Sequence, residues 1–93
     1  MAVDTEELAR NVTRLLPPYR VLLHNDDYNT MDHVVRALVE SVPQLSVREA
    51  GRIMLEAHLR GLAQVIVCPK EQAEHYCEQL TSFGLTATLE PAR

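Results

Sequence analysis

The chain has no tryptophan, one phenylalanine and three glycines among 93 residues, and its only lysine is Lys70. With so little glycine there is no Walker A loop and no GxGxxG turn, which excludes the common backbone cradles for nucleotide phosphates. Nine basic against thirteen acidic residues give a net charge of −4, and the eight arginines are scattered. Nucleic acid is therefore excluded as an expected ligand, since affinity for a phosphate backbone rests on clustered Lys and Arg. The two cysteines, Cys68 and Cys77, form no CxxC pair, so neither a zinc site nor a disulfide framework is expected. They read as reduced core thiols of a cytoplasmic protein. No apolar run approaches the roughly 18 residues that a membrane span needs. The acidic start, Met-Ala-Val-Asp-Thr-Glu-Glu, lacks the basic and apolar regions of a secretory signal.

What is present is ordinary globular material, 46% hydrophobic and 24% charged, in a length that suits one small domain. Pro17-Pro18 makes the first break. Before it, Leu8, Val12, Leu15 and Leu16 suggest a short amphipathic helix capped by Asp4 or Thr5. Such a helix is marginal alone in water, so residues 1–18 are expected to be a flexible extension and 19–93 the core domain. Tyr19–His24 has strand character and ends in the turn signal Asn25-Asp26-Asp27. Met31, Val34, Val35, Leu38, Val39 and Val42 form a helix stripe, with Asn29 or Thr30 as cap and Pro43 as stop. Ser46 and Glu49 match a capping box. The helix they open carries the stripe Val47, Ala50, Met54, Ala57, reaches His58 and stops at Gly61. Leu62–Cys68 is a second strand. Pro69 then suits the first position of a third helix, with the stripe Ala73, Tyr76, Cys77, Leu80 and a stop at Gly84. Leu85, Ala87 and Leu89 alternate with threonines as a third strand. The order is β-α-α-β-α-β. The expected fold is α+β, a two-layer sandwich of a three-stranded sheet with three helices on one face, strand directions left open.

No catalytic signature appears: GxSxG and HExxH are absent, and the four histidines never fall at i,i+4 of one another. Asp26-Asp27-Tyr28-Asn29 is acidic, but it lacks the alternating oxygen ligands and later Glu of an EF-hand, so no metal and no cofactor are expected. The plain reading of this stretch is a polar turn with Asp and Asn as caps. The functional reading starts from its chemistry. Two carboxylates and a carboxamide beside an apolar stripe suit an ammonium group attached to something hydrophobic. If the second helix packs beside the first, His58 approaches the same turn with Met31 and Met54 between, and neutral imidazole can accept a hydrogen bond from that ammonium. Two other classes stay open on the residues alone. One is a small non-catalytic structural module of a larger complex, and the other a small hydrolase using His58 with Asp26 and Asp27.

VLLHNDDYNTMDHVV, then RIMLEAHLRG, then GLTATLEP, together resemble the ClpS family, adaptors that recognise N-degrons for Clp proteases. The resemblance covers about residues 18–91. It implies a non-enzymatic adaptor, a monomer without cofactor. Such an adaptor binds proteins that begin with Leu, Phe, Tyr or Trp and carry a free α-amino group. It delivers them to a ClpA- or ClpC-type AAA+ unfoldase working with ClpP. It further implies that Asn25, Asp26 and His58 hold the α-amino group, and that Asp27, Asn29 and Thr30 meet the following peptide backbone. Met31, Val34, Met54, Ala57 and Leu85 would line the side-chain pocket, Met31 as a gate against β-branched residues. Glu71 would contact the unfoldase's N-terminal domain, and the extension before Pro17 would serve in handover. The chain departs from the family pattern at Asn29-Thr30, where Thr-Pro is common, and at Ala57, often Val. Tyr76 stands where a basic residue of the unfoldase-facing surface is usual.

Overall fold

A computed structural model of the chain describes residues 4–8 and 17–92. Three strands and three helices follow in the expected order: β1 (Pro18–His24), α1 (Met31–Ser41), α2 (Val47–Arg60), β2 (Leu62–Pro69), α3 (Lys70–Ser82) and β3 (Thr86–Pro91). β1 begins one residue before the expected core boundary. Most of the amphipathic stretch before it, including Val12, Leu15 and Leu16, lies outside the described residues. Asp4 does act as a cap, its carboxylate accepting from the Glu6 N–H at 3.1 Å.

The strand directions that the sequence leaves open are antiparallel on both sides of a central β1, in the order β2-β1-β3. Val21 and Leu23 alternate onto the helix-facing side and are buried, together with Ala63 and Val65 of β2. The opposite face carries Arg20, His24, Gln64, Thr86, Thr88 and Glu90, none of them buried. Polar residues on one face and apolar ones on the other require a single helical layer. A register shift at Val21/Leu22 twists β1 against β2. Both edge strands end in proline, Pro69 and Pro91, at positions where a missing N–H disturbs no ladder.

Local chemistry fixes the helix ends. Thr30, rather than Asn29, caps α1, its hydroxyl accepting from the His33 N–H at 3.1 Å. The expected capping box of α2 is complete: Ser46 Oγ accepts from Glu49 N–H and the Glu49 carboxylate from Ser46 N–H, both at 3.0 Å. Gly61 closes α2 at φ +86°, a left-handed backbone that glycine adopts without a Cβ clash. Pro69 sits one position before α3 rather than at its first position. The α3 end forms a Schellman motif, with Gly84 N–H to Thr81 O at 2.9 Å and Leu85 N–H to Leu80 O at 3.2 Å.

The core is Val21, Leu38, Val42, Ala50, Ile53, Ala73 and Leu80 with their neighbours. Val47 is not part of it, being 67% exposed, whereas Ala50, Ile53 and Ala57 form the buried face of α2. Cys68 is buried and Cys77 half-buried, both as free thiols. Burial pushes both thiols up from their ordinary value, which keeps them protonated and unreactive. Tyr76 is buried rather than on an exposed interface. Its ring faces the core and its hydroxyl accepts from Gln44 Nε2 at 2.6 Å.

Candidate binding site

β1 ends at His24, and the chain turns through Asn25–Thr30 before α1 begins. Three bonds hold this turn in place. Asn25 N–H donates to the carbonyl of Gly61 at 3.0 Å, which sets the start of the turn against the end of α2. Asp26 Oδ1 accepts from the N–H groups of Tyr28 and Asn29 at 3.0 and 2.9 Å, an Asx turn that the Asn-Asp-Asp signal encodes. The first bond explains why His58, in the last turn of α2, arrives beside a loop some thirty residues earlier.

A cavity of about 210 Å³ opens between this turn, α1, α2 and the residue before β3. Its floor is apolar and buried: Leu23, Ala57 and Leu85 are at most 4% exposed. Val34 and Met54 form the walls, and Met31, 48% exposed, stands at the mouth. Asn25, Asp26, Asp27, Asn29 and His58 make a polar rim that, among the described residues, contains no lysine or arginine. A cavity of about 150 Å³ with apolar walls holds a benzene ring, so this one takes a single branched or aromatic side chain.

Ten of the residues singled out from sequence therefore line one cavity, and two do not. Thr30 caps α1 at the cavity's edge. Glu71 lies in the first turn of α3, beside Pro69, which pairs with Pro18 at the far end of β1. Six residue steps at about 3.3 Å each separate the two ends of β1 by roughly 20 Å. Leu23 and His24 also line the cavity and were not anticipated. The alternation of β1 points to Leu23, since it puts Val21 and Leu23 on the helix side immediately before Asn25. His24 faces the other way and pairs its Nε2 with Thr88 Oγ1 at 2.7 Å.

The rim has the electrostatics of a cation site. Partial burial pushes the Asp26 carboxyl up, but hydrogen bonds from Asn29 and Tyr28, with the nearby His33 ring, outweigh it and hold the group below its ordinary value. Asp26 is thus an anion throughout the neutral range. Among the described residues, the side chains of Asn25, Asp27 and His58 make no hydrogen bond within the protein, so their polar atoms are open to a ligand. Among the described residues no group of three or more His, Cys, Asp or Glu side chains is arranged to hold a metal ion.

The sequence matches the family model described as "ATP-dependent Clp protease adaptor protein ClpS" over residues 15–88. The ATP-dependent Clp protease adapter protein ClpS of Synechococcus elongatus is 50% identical, with 98% of each chain covered. The chloroplastic adapter CLPS1 of Arabidopsis thaliana is 46% identical over 95% of this chain and 55% of its own. Among solved structures, Agrobacterium tumefaciens ClpS2 bound to L-phenylalaninamide superposes with a TM-score of 0.76 at 33% identity. It covers 81% of this chain and 96% of its own.

Proposed function

Because the chain belongs to the ClpS family of Clp protease adaptors, we propose that its cavity binds the first residue of a protein whose N-terminus is Leu, Phe, Tyr or Trp with a free α-amino group. The protein is an adaptor, not an enzyme. The observation that carries this reading is the joining of a buried apolar floor to a rim of carboxylates and carboxamides without lysine or arginine among the described residues. That pairing fits an ammonium one carbon away from a large hydrophobic side chain. L-phenylalaninamide, the ligand of the Agrobacterium relative, has the same two features.

The side chain of the first residue occupies the space between Leu23, Val34, Met54, Ala57 and Leu85. Its ammonium donates to Asn25, to Asp26 and to the neutral ring of His58. The next peptide unit runs past Asp27, Asn29 and Thr30, and Met31 at the mouth rejects side chains that branch at Cβ. Burial of one Leu or Phe side chain contributes about 1.5–3 kcal/mol. Each charge-assisted hydrogen bond contributes about 1.5–3 kcal/mol before ordering losses. A micromolar complex, near −8 kcal/mol, follows. That strength allows capture and later release.

Delivery uses the other end of the molecule. Glu71 is exposed there, and the chain before Pro18 enters the sheet at the same end. We assign this end to the N-terminal domain of a ClpA- or ClpC-type unfoldase, and residues 1–18 to an extension that acts in handover from the core of 19–93. The working form is a cytoplasmic monomer. The test is degradation of a Leu-initiated reporter by purified unfoldase and ClpP, with and without this chain. The expected result is degradation that depends on the chain and stops when the reporter begins with Met-Leu. Equal rates with and without the chain would contradict the reading.

A further inference from the structure

Asn29 does more than follow the turn. Its Nδ2 lies 3.1 Å from Asp26 Oδ1, 2.9 Å from Asp26 Oδ2 and 3.0 Å from the carbonyl oxygen of Gly84. A carboxamide has two N–H donors. One is therefore shared across the two carboxylate oxygens, and the other crosses to the turn between α3 and β3. Asn29 has no donor left for a bound peptide. Only its Oδ1 is free to accept.

The two ends of this bridge matter for different parts of the site. The backbone N–H groups of Tyr28 and Asn29 hold only Oδ1 of Asp26. A carboxylate fixed at one oxygen still turns about χ2, which is a broad, nearly two-fold torsion. The Asn29 amide, straddling both oxygens, sets the plane and leaves the remaining acceptor sites on Oδ2. At the other end, Gly84 precedes Leu85, a wall of the cavity that is 4% exposed. The neighbouring carbonyl, Phe83 O, lies 2.7 Å from His33 Nε2 of α1, so the turn is fastened at two consecutive residues. Gly84 has φ +84°, and a Cβ built there would lie 3.9 Å from Asn29 Oδ1. The amide thus lies in contact range over the glycine.

We propose that Asn29 is a positioning residue, whose carboxamide orients the Asp26 carboxylate and ties it to the turn that carries Leu85. Amine recognition and side-chain recognition are then set by one clasp. The proposal rests on the reading of the cavity as a site for an N-terminal residue.

The test uses the full chain with Asn29→Ala and with Asn29→Asp, which keeps the size but removes both donors. Two quantities are read: the titration of the Asp26 side-chain carboxyl by carbon-13 NMR without ligand, and the affinity for a Leu-initiated peptide between pH 4 and 8. The expected result for Asn29→Ala is a higher Asp26 midpoint than in the parent and a roughly tenfold weaker complex at neutral pH. The acid limb of binding should move up with the midpoint. Asn29→Asp should bind more weakly still. An unchanged midpoint would overturn the proposal, whether affinity holds or falls, since loss without that shift reports packing alone. A raised midpoint in a protein whose parent binds no free-amine peptide would overturn the underlying site reading instead.

Discussion

Ala57→Leu separates a binding cavity from ordinary core. Ala57 lies on α2, 3% exposed, on the floor of a cavity of about 210 Å³. Leucine keeps helix propensity close to that of alanine. Its three added carbons enter space that a ligand side chain would otherwise fill. At about 0.8 kcal/mol for each buried carbon they contribute up to ~2.4 kcal/mol. Ordering the side chain takes back about 0.5–1 kcal/mol. The net gain is therefore about 1.5 kcal/mol as an upper limit, because the cavity's mouth is open. At about 4–8 °C per kcal/mol for a domain of this size, Tm should rise by at most about 6–12 °C. The same substitution removes the burial of the ligand's first side chain, about 1.5–3 kcal/mol, or roughly 10- to 150-fold in affinity. Calorimetry and peptide titration on one preparation measure both. A packed core alanine gives the reverse pattern, a loss of about 1–3 kcal/mol from overpacking with binding unaltered. That result would refute the cavity's role.

Asp26→Asn keeps the size of the side chain and removes its charge, so affinity for a free-amine peptide should fall roughly 10- to 150-fold; anisotropy at low and high salt checks it. Met31→Ala shortens the side chain at the mouth, and Ile- or Val-initiated peptides, rejected by the parent, should then bind in a titration series. The Asp26 carboxyl is held below its ordinary value of 3.8. Its contribution to stability is complete above that value and lost as pH falls through the lower, folded one. Urea midpoints of the parent and of Asp26→Asn should therefore differ by a constant amount above pH 3.8 and converge below it.

Sequence makes visible whatever is encoded over a few residues. Ser46 with Glu49, Gly61, the Asx turn at Asp26 and the alternation of Val21 and Leu23 all follow from local chemistry, and each is found where the residues indicate. Long-range placement is harder to read. Nothing in Tyr19–His24 says that β1 is central, because that depends on which two distant strands pair with it. Val47 has the right spacing for the core, yet it is exposed, and the buried face of α2 runs through Ala50, Ile53 and Ala57 instead. Tyr76 has the spacing of a core residue, and burial prevails over the interface position that the resemblance suggests. The site divides in the same way. Asn25, Asp26 and Met31 are neighbours in the chain, whereas His58 joins them through the bond from Asn25 to Gly61. The clasp from Asn29 to Gly84 spans 55 residues and has no local signature at either end.

The central claim is that one cavity reads a free α-amino group together with a large apolar side chain. Fluorescence anisotropy of a labelled Leu-initiated peptide, beside its N-acetylated twin, tests it most directly. Micromolar binding of the free-amine peptide that acetylation abolishes is the predicted result. Equal affinity for the two peptides, or none for either, would contradict the account.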